Sequence, residues 1–409
     1  MPESLTGAFR AYLASTAFSG MAFAMQYLLI SWLLVGVLLL PADQVGQLQA
    51  IMGLPGIALM LWGGASADRR DPRGLLVWVY GLSSIFPLFL VYADQINSLT
   101  VLTVGVWGMG MSIAASFTMP AQQAILNRVS GSNLQRGISA STAIGFLVQI
   151  TGVGLAGQMD RFGLSTVLVL QAACLAIGAL MIQRLPVVSL PPSAGRAQHS
   201  ALHNIMEGLR ATYRTKVIFH VLMINFVSSI FNAGAFMTVF PFIMKRVYDG
   251  DALMLAVMIA VFYAGGMISS LVMFALMPFK HPGRLFLIMQ LSRVVVIFCL
   301  WFEPVWWLLV VVILAWGVNM GFTSTLARTV VQESAEPGYR GRVLSVFSLG
   351  MMGSAPIGAL VLGWIIETFG TLNALLPAIG VSLVLCAYGV MYTGIWSYRS
   401  QPFASSTPT

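Results

Sequence analysis

Charged residues are scarce in this chain. Only 8% of its 409 residues are Asp, Glu, Lys or Arg, whereas soluble domains carry roughly 25%. A soluble fold could not cover its surface with so few charges, so that class is excluded. Hydrophobic residues make up 58% of the chain, in apolar runs long enough to cross about 30 Å of hydrocarbon. We predict an integral membrane protein whose spans are helices, because lipid offers open backbone groups no hydrogen-bond partners.

Cysteine and the motifs of cofactor chemistry are also scarce or missing. Cys174, Cys299 and Cys386 fall inside apolar runs without a CxxC pair, which argues against a disulfide framework and favours small buried hydrophobes. There is no G-x-x-x-x-G-K-[ST] phosphate loop and no H-E-x-x-H sequence, and the four His form no evident metal set. We therefore expect no cofactor, no metal and no enzymatic activity.

Positive charge is in excess, and its distribution matters more than its sum. The net charge is +8, which raises the question of a nucleic-acid partner. If the N-terminus is cytoplasmic, most of the 21 Lys and Arg fall in inner loops and ends, and only Arg161, Lys245 and Arg246 lie outside. This is the positive-inside bias. It predicts no nucleic-acid partner and both termini in the cytoplasm. We expect the protein to lie in the cell's inner (plasma) membrane.

The apolar runs predict twelve transmembrane helices in two six-helix bundles. The first bundle covers 1–184 and the second covers 216–395. Between them, 185–215 is predicted to be a cytoplasmic linker that is rich in proline at first and then forms a short amphipathic helix; 396–409 is a cytoplasmic tail. The predicted spans lie near 11–38, 43–67, 74–93, 98–126, 137–159, 164–184, 216–246, 251–279, 285–302, 304–331, 342–366 and 371–395.

The two predicted bundles contain similar short sequences at equivalent positions. Asp160-Arg-Phe-Gly163 ends the fifth span, and Glu367-Thr-Phe-Gly370 ends the eleventh, about half a chain length later. Arg136-Gly137 and Arg340-Gly341 open the same two spans. These matches indicate an internal duplication. Six-helix halves related in this way are the plan of transporters whose binding site lies between the halves near the membrane midplane.

The loop after the second span carries a family resemblance. Residues 63–74 read Gly-Gly-Ala-Ser-Ala-Asp-Arg-Arg-Asp-Pro-Arg-Gly, which resembles the signature G-x-L-a-D-r-x-G-r-[RK] of the major facilitator superfamily. Gly64, Asp68, Arg69 and Arg73 match, whereas Ser66 replaces a leucine and Asp71 a glycine. Residues 120–126 and 338–345 are similar to the branch that holds the enterobactin exporter and macrolide efflux pumps.

The resemblance implies a fold and a function. The fold is the all-α major facilitator fold, present as a monomer in the lipid bilayer. The function is secondary active transport by alternating access, in the form of a proton-linked exporter (an antiporter) of small amphipathic siderophore or drug-like molecules. An importer or facilitative uniporter of a small metabolite is the alternative, and a membrane sensor that transports nothing is a remote one.

Asp68 is the centre of a predicted gating latch. Its carboxylate would lie at the cytoplasmic mouth, where it could face the positive N-terminus of another helix. The eleventh span begins beside Arg340 and Arg342 and is the best candidate for that helix. The resemblance implies a latch that holds the outward-facing state, whereas a solvated turn that serves only topology is the alternative. The latch residues are Gly64, Asp68, Arg69, Arg73, Arg340 and Arg342.

No residue stands out as the site of energy coupling. All thirteen acids lie in loops or at span ends, so the chain lacks the buried carboxylate that proton-driven transporters commonly use. Asp68, Asp160 and Glu333 are the candidate titrating groups that remain, and a structural role is the alternative for each. Arg293 is the one charge well inside a span. It could snorkel or pack at a peripheral helix, or it could bind an anion and take part in coupling.

Uncharged polar residues predict the substrate cavity. Asn225, Ser228, Ser229 and Asn232 follow i, i+3, i+4, i+7 spacing and so share one face of the seventh span. The resemblance implies that spans one, five, seven and ten line the cavity, and interhelical hydrogen bonding is the alternative role for such residues. The predicted cavity residues are Gln26, Gln149, Asn225, Ser229, Asn232, Asn319 and Thr323.

Overall fold

In a computed structural model, the described part of the protein consists of helices joined by short turns. The structure describes residues 3–69, 71–130, 134–185, 201–336 and 339–400; within these, the side chains at 3–6, 60–69, 127, 128, 130, 134–140, 142, 143 and 201–205 are outside the description. The helices are α1 Glu3–Trp32, α2 Ala42–Arg69, α3 Pro72–Ser83, α4 Ile85–Gln95, α5 Val101–Ser130, α6 Leu134–Ala156, α7 Met159–Phe162, α8 Leu164–Gln183, α9 Ala201–Arg214, α10 Lys216–Gly234, α11 Phe240–Phe242, α12 Ala252–Leu276, α13 Pro282–Trp301, α14 Trp306–Ser334, α15 Arg340–Phe369 and α16 Leu376–Tyr392.

Ten helical segments of the described chain are long and apolar enough to cross a membrane. Each is at least 20 residues long and contains an apolar stretch of 18 residues, which is enough to span a bilayer core about 30 Å thick. The protein is therefore a multi-pass membrane protein. The other two predicted spans coincide with α2 and α6, in which many side chains lie outside the described part, so the count of twelve stays a prediction.

The long helices run alternately in opposite directions, so their ends lie on two faces. We call the end that carries Arg214 and Lys216 the linker face, and the end that carries Ala42 and Ala252 the distal face. Two seams join the N-terminal and C-terminal halves, because α2 packs along α15 and α6 packs along α12. Residues 186–200 of the predicted linker lie outside the described residues, and α9 occupies its second part, where the sequence predicts an amphipathic helix.

The backbone of the distal turns repeats between the halves. Left-handed residues occupy matching positions in three pairs of loops, and the members of each pair are separated by slightly more than half of the chain. The pairs are Leu39 (φ 50°) with Asp249 (φ 48°), Asn97 (φ 53°) with Glu303 (φ 51°), and Gly163 (φ 85°) with Gly370 (φ 94°). Non-glycine residues with positive φ are uncommon, so the two non-glycine pairs in particular support an internal duplication.

Small residues allow the halves to approach closely at the distal ends of both seams. A Cβ on Gly363 of α15 would lie 2.5 Å from the carbonyl oxygen of Ala42. On Gly46 of α2 it would overlap the carbonyl oxygen of Ala359, and on Gly157 beside α6 it would overlap Ala256 of α12. Membrane helices pack mainly through such close contact of small residues. The described distal parts of the two halves are therefore in direct contact.

Candidate functional site

Arg293 forms the centre of a buried polar network in the C-terminal half. The side chain is only 2% exposed, so it does not snorkel to a membrane face. Its Nε donates to Oδ1 of Asn319 at 3.2 Å, and its Nη2 donates to Oγ1 of Thr323 at 3.3 Å. Nη1 donates to Oε1 of Gln290 at 2.9 Å and also to Oγ of Ser228. The network therefore connects α10, α13 and α14.

The charge of this network lacks a carboxylate partner among the described residues. Each acceptor on Arg293 is an uncharged amide or hydroxyl oxygen, and no Asp or Glu lies in the middle of a predicted span. A buried cation is costly in a membrane unless it is paired or hydrogen-bonded. Nε2 of Gln290, which is also buried, has no hydrogen-bond partner. As far as the described side chains show, the interior of this half therefore carries a positive charge that no carboxylate neutralises.

The polar residues along one face of α10 contact two neighbouring helices, α13 and α15. Oγ of Ser228 donates to Gln290, whereas Nδ2 of Asn225 and Oγ of Ser229 both lie against the sulfur of Met351 on α15, at 2.9 and 3.4 Å. Thioether sulfur is a weak acceptor, so Asn225 and Ser229 have spare hydrogen-bonding capacity. Both residues could therefore form further hydrogen bonds with a ligand.

Asn232 lies about one helical turn beyond Ser229, towards the distal face. It contacts an aromatic cluster. We give this name to Tyr27, Phe236, Phe240, Phe262 and Trp316. The rings of Phe236 and Phe262 stack with centroids 3.9 Å apart, and Phe236 also stacks on Tyr27 of the other half at 6.0 Å. The cluster is continuous through Phe240 and Trp316. It therefore closes the interior on its distal side with rings from both halves.

The N-terminal half contributes amides rather than charges. Nε2 of Gln171 on α8 donates to Oε1 of Gln26 at 3.2 Å and to the carbonyl oxygen of Ala22 at 3.0 Å. Nε2 of Gln26 and Oε1 of Gln171 are buried without partners, although unsatisfied buried groups are costly. Gln149 on α6 is half-buried. The structure thus brings Gln26 together with Gln171, which the sequence analysis missed, but places Gln149 in neither network.

The predicted latch is described only in part. The side chains of Gly64, Asp68 and Arg69 lie outside the description, so their arrangement is not described. Arg73 donates to the carbonyl oxygen of Gln183. On α15, Nη1 of Arg342 lies 2.7 Å from Oε2 of Glu207 on α9, and Nε of Arg340 donates to the carbonyl oxygen of Ala335. The start of α15 is therefore held by α9, a contact that the sequence analysis did not include.

The two predicted coupling acids have different surroundings. Oδ2 of Asp160 accepts the backbone N–H of Ala252 at 3.1 Å, across the seam between the halves. Glu333 accepts from Oγ of Ser400 at 2.7 Å and from the phenol of Tyr398 at 3.3 Å. Burial, more than the Glu333 charge, raises the pKa of Tyr398, so this phenol stays a donor at neutral pH. Glu333 thus binds the C-terminal segment.

Two further contacts between the halves were not predicted from the sequence. Oε1 of Gln49 on α2 accepts the hydroxyl of Thr238 at 2.7 Å, next to the aromatic cluster. Oε2 of Glu367 on α15 accepts the N–H of Ala42 at 3.1 Å. Nothing in the local sequence marks Gln49. Glu367 did have a signal, because it occupies the same place in its repeat as Asp160.

Two clefts open at the ends of the molecule. One of about 580 Å³ lies on the distal face and includes Arg246, Glu303 and Asn373. One of about 190 Å³ lies on the linker face and includes Arg210 and Glu336. None of the predicted cavity residues lines either cleft. Among the described residues, His, Cys, Asp and Glu form no group of three that could hold a metal ion.

Solved transporters share this fold. The nucleoside transporter NupG superposes with a TM-score of 0.74 at 16% identity, over 97% of this chain and 100% of that one. A POT family transporter in complex with 5-aminolevulinic acid superposes with a TM-score of 0.71 at 12% identity, over 95% and 96% of the two chains. At such identities the likeness concerns the fold alone.

A relative found by sequence comparison is also a transporter. The "Staphyloferrin A transporter" of Staphylococcus aureus (strain NCTC 8325 / PS 47) is 20% identical over 349 residues, which are 83% of this chain and 84% of the relative. The family model of the Major Facilitator Superfamily matches residues 12–358, which is well over half of the chain. With its helical halves, repeated distal turns and close seams, the chain belongs to the Major Facilitator Superfamily.

Proposed function

We propose that this protein is a secondary active transporter that exports small amphipathic molecules, siderophore-like or drug-like, in exchange for protons. The observation that carries the transport proposal is the arrangement of the halves. They meet through small-residue seams at the distal face, while amides and hydroxyls with spare hydrogen-bonding capacity lie inside. Two packed bodies that can separate at one face and close at the other suit alternating access. The named relative, a siderophore transporter, supports the substrate class.

The proposed binding site lies between α1, α6, α10 and α14. Gln26 and Gln149 contribute from the N-terminal half, and Asn225, Ser229 and Asn232 contribute from the C-terminal half, with Asn319 and Thr323 behind them in the Arg293 network. Free amide groups would bind polar parts of the cargo, and the aromatic cluster would contact its apolar parts. The buried cation, without a neighbouring carboxylate among the described residues, favours cargo that carries negative charge.

The oligomeric state, membrane location and partners of the protein belong to the same proposal. The chain works as a monomer in the inner (plasma) membrane, with both termini and the linker face in the cytoplasm, so the distal face is extracytoplasmic. Its partners are the small-molecule substrate, the bilayer and protons, and it binds no nucleic acid. Asp160, Glu333 and Arg293 are the candidate coupling groups, and Asp68 with its neighbours forms the latch of the linker face.

Flux across vesicles of known orientation tests the proposal. Inside-out vesicles carrying the protein, given a panel of siderophore-like and drug-like compounds, should accumulate some of them when the lumen is acidified. Right-side-out vesicles should not accumulate the same compounds. Uptake in the reverse direction would identify an importer, flux that only equilibrates would identify a uniporter, and no flux of any compound would favour a sensor.

A further inference from the structure

Two carboxylates form hydrogen bonds between the halves at the distal face, and they do so in opposite directions. Asp160 of the N-terminal half accepts the N–H of Ala252, the first residue of α12, at 3.1 Å. Glu367 of the C-terminal half accepts the N–H of Ala42, the first residue of α2, also at 3.1 Å. Each half thus supplies one acid to a helix N-terminus of the other half.

These bonds are stronger than neutral hydrogen bonds. The first N–H groups of a helix lack partners within the helix, and the helix dipole makes that end positive. A carboxylate at this position gains both a charge-assisted hydrogen bond and a favourable charge–dipole interaction. Arg246 lies 3.7 Å from Glu367 in its own half and helps to orient that carboxylate.

Helix α12 does not need Asp160 for its own capping. Asp251 already caps α12, because its Oδ1 accepts the N–H of Met254 at 2.7 Å. The bond from Ala252 to Asp160 is therefore additional, and its main effect is to join the halves. It would break if α12 moved away from α7 as the distal face opened.

The internal repeat places the two acids equivalently. Asp160 begins the sequence that ends at Gly163, and Glu367 begins the one that ends at Gly370; both glycines have positive φ. The two recipient helices begin three residues after Leu39 and Asp249, which also have positive φ. The two bonds therefore occupy equivalent positions in the repeat.

We infer that Asp160 and Glu367 are a matched pair of gating residues that hold the distal face closed. Both bonds break when the protein opens to that face. Neutralising either acid removes the charge and weakens the closed state by about two- to fivefold for each acid, because both carboxylates are exposed to solvent. Because the bonds lie at separate seams, the two effects multiply in the double variant.

Distance measurement by electron spin resonance in proteoliposomes tests the pair. Labels at Ser98→Cys and Val305→Cys, in a background without Cys174, Cys299 and Cys386, place one probe on an exposed distal loop of each half. Asp160→Asn and Glu367→Gln should each increase the population at longer distance, and the double variant should increase it most. Asp160→Glu and Glu367→Asp keep the charge and should remain closer to the parent distribution.

Asp94→Asn is the matched control. Asp94 lies at the same face but accepts from Ser165 of its own half at 2.7 Å, so its neutralisation should leave the distances unchanged. The inference is wrong if neither neutral variant changes the distribution, or if Asp94→Asn changes it equally. Should a neutral variant not fold, its partner acid and the charge-preserving variants still decide. The measurement needs no substrate, so its outcome is independent of whether the protein exports.

Discussion

Nε1 of Trp316 donates a hydrogen bond of 2.7 Å to Oδ1 of Asn232, and both side chains are buried. This bond connects the polar face of α10 to the aromatic cluster. An indole N–H needs a partner when it is buried, so Asn232 has a structural task in addition to its proposed contact with cargo. The two roles can be separated experimentally.

Asn232→Ala should lower thermal stability, because it leaves the N–H of Trp316 buried without an acceptor, at a cost of about 1–3 kcal/mol. Trp316→Phe removes the donor, so the double variant should lose less than the sum of the single losses. If Asn232 also contacts cargo, the affinities of two dissimilar substrates will change unequally. Equal changes that match the loss of stability would restrict Asn232 to packing.

Asp68→Asn should reduce flux while insertion and expression stay normal, because the predicted latch depends on a carboxylate facing a helix N-terminus. Asp71→Asn is the matched control in the same loop. Asp71 caps α3 by accepting the N–H groups of Arg73 and Gly74, and Asn is as good an N-cap as Asp. Transport assays at matched protein amounts decide, and normal flux of Asp68→Asn would remove the latch from the proposal.

Arg293→Lys should destabilise the C-terminal half, because three donors on one nitrogen cannot reach acceptors on α10, α13 and α14 as a planar guanidinium does. Arg293→Gln removes the charge as well. If the charge favours anionic cargo, Arg293→Gln should weaken binding of a carboxylate-bearing ligand more than binding of its methyl ester. Binding measured on folded protein tests this, and an equal loss for both ligands would leave Arg293 with a structural role alone.

Neutralising Asp160 and neutralising Glu333 should have different effects on the coupling of protons to transport. If Asp160 couples protons to transport, Asp160→Asn should abolish the response of flux to a pH gradient, whereas Glu367→Gln should keep that response although it opens the same face. Glu333→Gln should mainly loosen Tyr398 and Ser400, which it binds. Flux measured with and without an imposed gradient separates these cases. Intact coupling in both Asp160→Asn and Glu333→Gln would place coupling elsewhere.

The sequence predicts long-range features unevenly. Apolar runs locate the described spans, because length and composition are local properties. The Arg293 network could not be predicted, since its acceptors on α10 and α14 become neighbours only after the helices pack. The repeat that contains Asp160 and Glu367 is visible in the sequence, but the partners of these acids are backbone N–H groups, which no residue type marks. Gln49 and Gln171 could not be predicted as contact residues, because their partners lie far away in the sequence.

The seam between α2 and α15 should respond to an added methyl group. Gly46→Ala places a methyl group against the carbonyl oxygen of Ala359, a backbone atom that cannot rotate away. The overlap is relieved if the halves separate at the distal face, so the variant should shift the labelled distances towards opening with little loss of thermal stability.

Two glycine variants provide the comparison for Gly46→Ala. A Cβ on Gly317 would overlap the carbonyl oxygen of Phe262, but both residues belong to the C-terminal half. Gly317→Ala should therefore lower stability without changing the distances, because that overlap cannot be relieved by separating the halves. A Cβ on Gly105 meets nothing within 4 Å, and Gly105→Ala should change neither property. If Gly46→Ala instead behaves like Gly317→Ala, the α2–α15 seam does not separate during opening and must act as a fixed pivot.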